Sequence, residues 1–144
     1  MSCIKKSFNN AYADMARKGW TPRLYVFVDI HSTVLEPTYK ENCKELNFYP
    51  KAKEALQLLS NRHDIVLTYY SCTPLEQCKE QSELFKEHGI VFDYHNENPE
   101  ITNADTKYGC YLHKPYFNVL LDDKAGFEPE VDWQHIIDYY NNKI

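Results

Sequence analysis

The chain has 144 residues, 43% of them apolar and 26% charged, with a formal net charge of -5. That length holds one domain with a core of its own, and the acidic balance excludes a basic field able to grip a long nucleic-acid backbone, so a phosphorylated ligand needs a metal ion or local cations. No apolar run reaches the roughly 18 to 20 residues of a membrane span, and five cysteines without a CxxC pair or a preceding signal-peptide pattern predict a reducing, cytoplasmic setting.

Residues 1–20 carry Ile4, Phe8, Ala11, Tyr12, Met15 and Ala16 at helical spacing, with Lys5, Lys6, Arg17 and Lys18 outside the stripe. This predicts an amphipathic helix stopped by Gly19. Leu24-Tyr25-Val26-Phe27-Val28 then runs straight into Asp29, which reads as a buried parallel strand delivering a carboxylate to a sheet edge. A charge at the end of an apolar run is costly unless something pairs with it, and the carboxyl ends of strands are where open α/β sheets bind ligands. Asp29 is therefore the first candidate for chemistry.

Segment 34–48 lacks a sustained period and reads as a loop or small flap over the site. Pro50 suits a first helical position, followed by Ala52, Ala55, Leu56 and Leu59 on one face as far as Ser60. Ile65 to Tyr70 predicts a second strand, separated from the first by too short a stretch for an inserted lid domain. Ser71 follows it, and Thr73, Pro74 and Glu76 spell a helix start whose backbone N–H groups favour anions. Ser71 and Thr73 are read either as ordinary turn and cap residues or as the edge of a phosphate site. The helix continues through Cys78, Leu84 and Phe85 to His88-Gly89, and Ile90 to Tyr94 predicts a short third strand. After a polar loop over 95–111, Lys114-Pro115-Tyr116 leads into Phe117 to Asp123, a fourth strand ending in two acids. Trp133, Ile136, Ile137 and Tyr140 mark a last helix.

This alternation predicts an α/β fold, a parallel sheet covered on both faces with right-handed crossovers. Its strand ends bring Asp29, Ser71 and Asp122/Asp123 to one edge. Converging carboxylates repel in low dielectric unless a cation lies between them, and oxygen ligands suit Mg²⁺, which commonly shares its site with a phosphate. Lys114 and Ser71 are the expected partners of the phosphoryl oxygens. Thr68 is the alternative to Ser71, and Lys107 the alternative to Lys114. Four tyrosines, Tyr39, Tyr69, Tyr70 and Tyr116, are candidates for a base-stacking shelf.

Asp29-x-His31-x-Thr33, Ser71, Lys114 and Asp122-Asp123, each set beside a predicted strand, resemble in order and spacing the four motifs of the haloacid dehalogenase superfamily of phosphohydrolases. The resemblance spans roughly residues 24–127 and is closest to the capless members. It implies a Rossmann-like three-layer sandwich, an aspartyl-phosphate intermediate on Asp29, phosphate binding by Thr33, Ser71 and Lys114, and Mg²⁺ held by Asp29, the backbone carbonyl of His31 and Asp122 or Asp123. Family phosphatases usually carry a second aspartate where this chain has His31. An imidazole can serve both as general acid and as general base near neutral pH. The expected activity is hydrolysis of small phosphate esters, nucleotides among them. A catalytically weak or inactive relative that binds a phosphorylated ligand or a protein partner, and a phosphatase acting on nucleic-acid ends, are the alternative readings.

Overall fold

The apolar run ending at Asp29 forms β1 (Leu24–Asp29). Leu24 to Val28 have no exposed surface, as befits a central parallel strand covered on both faces. β2 (Ile65–Tyr70) pairs with it from Leu24↔Ile65 to Asp29↔Tyr70. β3 (Tyr94–His95) pairs outside β2, and β4 (Val119–Leu121) pairs on the other side of β1. The sheet is wholly parallel, in the order β3-β2-β1-β4. The chain thus steps outward from β1 to β3 and then returns to the far side of β1. Such a reversal leaves a crevice outside the carboxyl ends of the central strands. These statements rest on a computed structural model that describes residues 3–37, 45–102 and 109–144.

Alternation along the strands divides the core in two. Leu24, Val26 and Val28 of β1 and Ile65, Leu67 and Tyr69 of β2 share one cluster with four helices, α1 (Cys3–Lys18), α2 (Ala52–Ser60), α3 (Leu75–Glu87) and α4 (Asp132–Tyr140). On the opposite face Tyr25 and Val66 pack with Ile101 and Tyr116, flanked by Trp20, Tyr94 and Tyr111. That third layer is supplied largely by the connection from β3 to β4. Glu100 pins it to the sheet by accepting from Arg23 (2.6 and 2.8 Å), Tyr25 (3.1 Å) and Tyr94 (2.7 Å). The architecture is the expected Rossmann-like α/β sandwich. No helix of the described residues is long and apolar enough to cross a membrane.

Two expected strands are shorter than their apolar runs. Over 90–91 the backbone finds partners other than a strand, Ile90 N–H going to the Phe85 carbonyl and Val91 N–H to Ser60 Oγ, and the chain reaches β2 only where Asp93 N–H meets the Leu67 carbonyl. Ile90 and Phe92 are still buried, so the run fills the core without being a strand. In the fourth run, Asn118 accepts the Tyr25 N–H through its side chain (2.8 Å) and donates its own N–H to the Tyr25 carbonyl (2.8 Å), standing in for a ladder step. Beyond Leu121 the chain turns into a 3-10 turn, Asp123–Ala125. α2 begins two residues after Pro50. The ends of the predicted flap are zipped together, with Glu36 N–H on the Asn47 carbonyl (2.8 Å) and Tyr49 N–H on the Val34 carbonyl (2.9 Å); its residues 38–44 lie outside the described ones.

Candidate metal and phosphate site

Because β1 and β4 run parallel side by side, their ends must emerge at one edge. There Asp29, Asp122 and Asp123, all half-buried, offer carboxylate oxygens within 4.8 Å of one another. A tight turn follows β1: the Ile30 carbonyl accepts from the N–H groups of Thr33, Val34 and Leu35 (3.3, 2.8 and 3.0 Å). Ser32 takes a left-handed conformation, φ +66°, a backbone region that side-chain-bearing residues seldom occupy. The turn is clamped from the helical layer by Trp133, whose indole N–H donates to the Thr33 carbonyl at 2.9 Å.

The Thr33 side chain binds the cluster together. Its hydroxyl lies 2.8 Å from Asp29 Oδ2 and 3.1 Å from Asp123 Oδ1, and it accepts the Asp123 N–H at 3.0 Å. Fully buried, it sits behind the carboxylates rather than facing the cleft, and it fixes β1's end to β4's end. Asp122 holds the following turn, accepting the Lys124 N–H on Oδ1 (2.8 Å) and the Ala125 and Phe127 N–H groups on its carbonyl. Asp29 titrates high, pushed up to about 6; burial is the main cause, with the neighbouring charge of Asp122 and contact with Asp123 adding to it and the Thr33 hydrogen bond opposing. A divalent cation placed among the three oxygens removes that penalty. All-oxygen donors fit a hard ion such as Mg²⁺, so the residues present suit the metal that the motif pattern implies.

The acids form the floor of a cleft of about 480 Å³ walled by His31, Ser32, Tyr70, Ser71, Cys72 and Lys124. His31 is exposed there. Ser71 Oγ lies 2.9 Å from Thr73 Oγ1 and accepts the Thr73 N–H at 3.2 Å, so both hydroxyls shape this turn. The expected Thr73 capping box does not form: α3 begins at Leu75, with Pro74 at the cap and no side-chain cap hydrogen bond. Asn96, which the sequence did not single out, clamps Ser71 from both sides, its Oδ1 accepting the Ser71 N–H (2.7 Å) and its Nδ2 donating to the Ser71 carbonyl (2.8 Å). Thr68 is fully buried in mid-strand, with no hydrogen-bond partner for its hydroxyl among the described residues. Ser71, not Thr68, reaches the cleft.

The lysines are arranged differently from expectation. Lys114 is exposed and does not line the cleft. Lys107 lies outside the described residues. Lys124 does line the cleft, and its signal in the sequence is its place directly after the acidic pair. A larger cavity of about 520 Å³ runs between α1 and the outer edge of β4, away from the acidic cluster.

No family model and no curated protein matches the chain. It is similar to the solved structure of a conserved protein from Bacteroides thetaiotaomicron, with a TM-score of 0.61 and 22% identity, covering 85% of this chain and 93% of that one. At that identity the likeness speaks for the fold alone.

Proposed function

We propose that the protein is a divalent-cation-dependent phosphohydrolase of the haloacid dehalogenase type, acting on small phosphate monoesters through an aspartyl-phosphate intermediate. The observation that carries this reading is the convergence of Asp29, Asp122 and Asp123 within 4.8 Å at the switch point of a parallel sheet. Asp29 is the nucleophile: a carboxylate oxygen bonds to phosphorus as the bond to the ester oxygen breaks, and the electron pair leaves on that oxygen. His31 as imidazolium donates the proton the leaving group needs. As neutral imidazole it then takes a proton from the water that attacks the aspartyl-phosphate, releasing inorganic phosphate and restoring Asp29. Asp29, the His31 carbonyl, Asp122 and Asp123 are the groups available to hold Mg²⁺, which when bound offsets the negative charge of carboxylates and phosphate. Ser71 and Lys124 contribute a hydroxyl and an ammonium group for the remaining phosphoryl oxygens.

A second reading, ligand binding with little turnover, is favoured by the imidazole at position 31 in place of the usual carboxylate. Mg²⁺-dependent phosphate release from an aryl phosphate and a nucleotide panel separates the two, measured for wild type, Asp29→Asn and His31→Asp. The phosphatase reading expects turnover in wild type and its loss in Asp29→Asn; an unchanged rate in that variant sinks it. Activity gained only in His31→Asp supports the binding protein instead.

A further inference from the structure

We infer that the site takes phosphate esters carrying a flat aromatic group, which stacks on Tyr70. The inference rests on the phosphatase reading and adds to it the class of substrate. Of the four tyrosines that the sequence offers near the acids, Tyr69 and Tyr116 are buried in opposite layers of the core and Tyr39 lies outside the described residues. Tyr70 is 37% exposed and lines the cleft. It is the register partner of Asp29 on the adjacent parallel strand, which puts the two Cα atoms about 5 Å apart with both side chains on the same face of the sheet.

A single exposed tyrosine at a strand end is ordinary, but this one is propped. Its ring packs on Phe27 with centroids 5.3 Å apart, and Phe27 packs in turn on Phe117 at 5.3 Å. Phe27 has no exposed surface, so the row is anchored in the core and Tyr70 is its solvent end. A ring held in advance loses little freedom when a second ring lies on it. The cleft's 480 Å³ is in the range of small organic ligands, leaving space for a leaving group beside the phosphate. Its acidic floor accounts for the metal and phosphate. The aromatic wall has no use in handling phosphate, and an apolar π-face is what a nucleobase or aryl group recognises.

The test compares adenosine 5′-monophosphate with ribose 5-phosphate, which share the phosphorylated sugar and differ in the base. In Mg²⁺, wild type should favour the nucleotide in kcat/KM by about 5- to 160-fold, the range of a single base-stacking contact. Tyr70→Ala should bring that ratio close to unity, mainly through the nucleotide's KM, and Tyr70→Phe should preserve it. An equal ratio in wild type and Tyr70→Ala overturns the inference, and so does a Tyr70→Phe variant that behaves like Tyr70→Ala, since the hydroxyl and not the ring would then be responsible. If wild type hydrolyses neither compound, nor the aryl phosphate and the nucleotide panel, the phosphatase reading fails by itself. Equilibrium binding of the same two compounds to the Mg²⁺-loaded wild type and Tyr70→Ala then decides the stacking inference on the same ratio, and equal binding of the two compounds by wild type overturns it.

Discussion

Replacing Asp29 by asparagine should stabilise the metal-free protein while removing its response to Mg²⁺. An acid whose folded pKa is raised binds its proton more tightly folded than unfolded. The stability this contributes is present below the ordinary 3.8 and is lost as the pH rises through about 6. At face value that rise corresponds to about 3 kcal/mol, but Asp29 is half-buried and water and salt screen it, so about 1–2 kcal/mol is the working expectation. Asparagine keeps an oxygen for the Thr33 hydroxyl and carries no charge at any pH. In EDTA at pH 8, Asp29→Asn should therefore melt about 3–8 °C above wild type, with the gap closing toward pH 4. Mg²⁺ at a hundred times its dissociation constant should raise wild-type stability by about 2.7 kcal/mol and leave the variant where it was. Thermal unfolding followed by circular dichroism, with and without the ion, reads all three effects. A variant less stable than wild type at pH 8 in EDTA would refute the claim that the three carboxylates oppose one another.

Because protons and the ion compete for Asp29, calorimetric Mg²⁺ affinity should fall about tenfold per pH unit below about 6; a flat profile from pH 5 to 7 would place the ion elsewhere. Thr33→Val removes the hydroxyl that joins Asp29 to Asp123 and leaves the Asp123 N–H without its acceptor; urea denaturation should show a loss of about 1–3 kcal/mol, and the Mg²⁺ pH profile should move up because the Thr33 hydrogen bond holds Asp29 down. Glu100→Ala strips the acceptor from the fully buried Tyr25 and should cost at least about 1–3 kcal/mol in the same assay, with no change in Mg²⁺ affinity. Burial acts to raise the Glu100 pKa, but hydrogen bonds from Tyr94, Arg23 and Tyr25 outweigh it and hold the group below its ordinary 4.5. Its stabilisation is complete above that pH and lost as pH falls through the folded value, so Glu100→Gln should flatten the acid limb of an unfolding curve.

The strands that carry the site were legible because each is a run of buried apolar residues ending in a polar one, and parallel pairing leaves such ends no other place than a common edge. Asp29, Ser71, Asp122 and Asp123 follow from that constraint alone. The extent of β3 did not follow, since the run from Ile90 has the apolar pattern of a strand while the backbone of Ile90 and Val91 bonds to a helix end and to Ser60. The position of Lys114 did not follow either: without periodicity over 95–118, sequence cannot say which residues of a connection come to lie beside the strand ends and which stand off from them. Thr33 reads as a phosphate ligand by analogy, whereas its hydroxyl meets Asp123 across a separation of 90 residues. No local signal encodes a contact of that span.

The acids of this fold divide by how their charge is met. Asp64, just ahead of β2, takes two hydrogen bonds from Arg62 (2.9 and 3.0 Å) and one from Tyr12 (2.9 Å), and the Arg62 contact foremost holds its carboxyl below the usual range. Glu100 has Arg23 and two tyrosines. Each stabilises a layer of the fold as it stands, and its ionised form is the favoured one. At the other edge of the sheet Asp29 titrates high, and among the described residues none of Asp29, Asp122 and Asp123 has an ion-pair partner. Three half-buried carboxylates held together by a threonine and a tryptophan-clamped turn do not stabilise the resting chain. Their arrangement would become favourable with a divalent cation among them, and a cation so held would have coordination positions left for an anion. On the phosphohydrolase reading, the geometry that works against the metal-free protein would be what readies the site for a metal and a phosphate together.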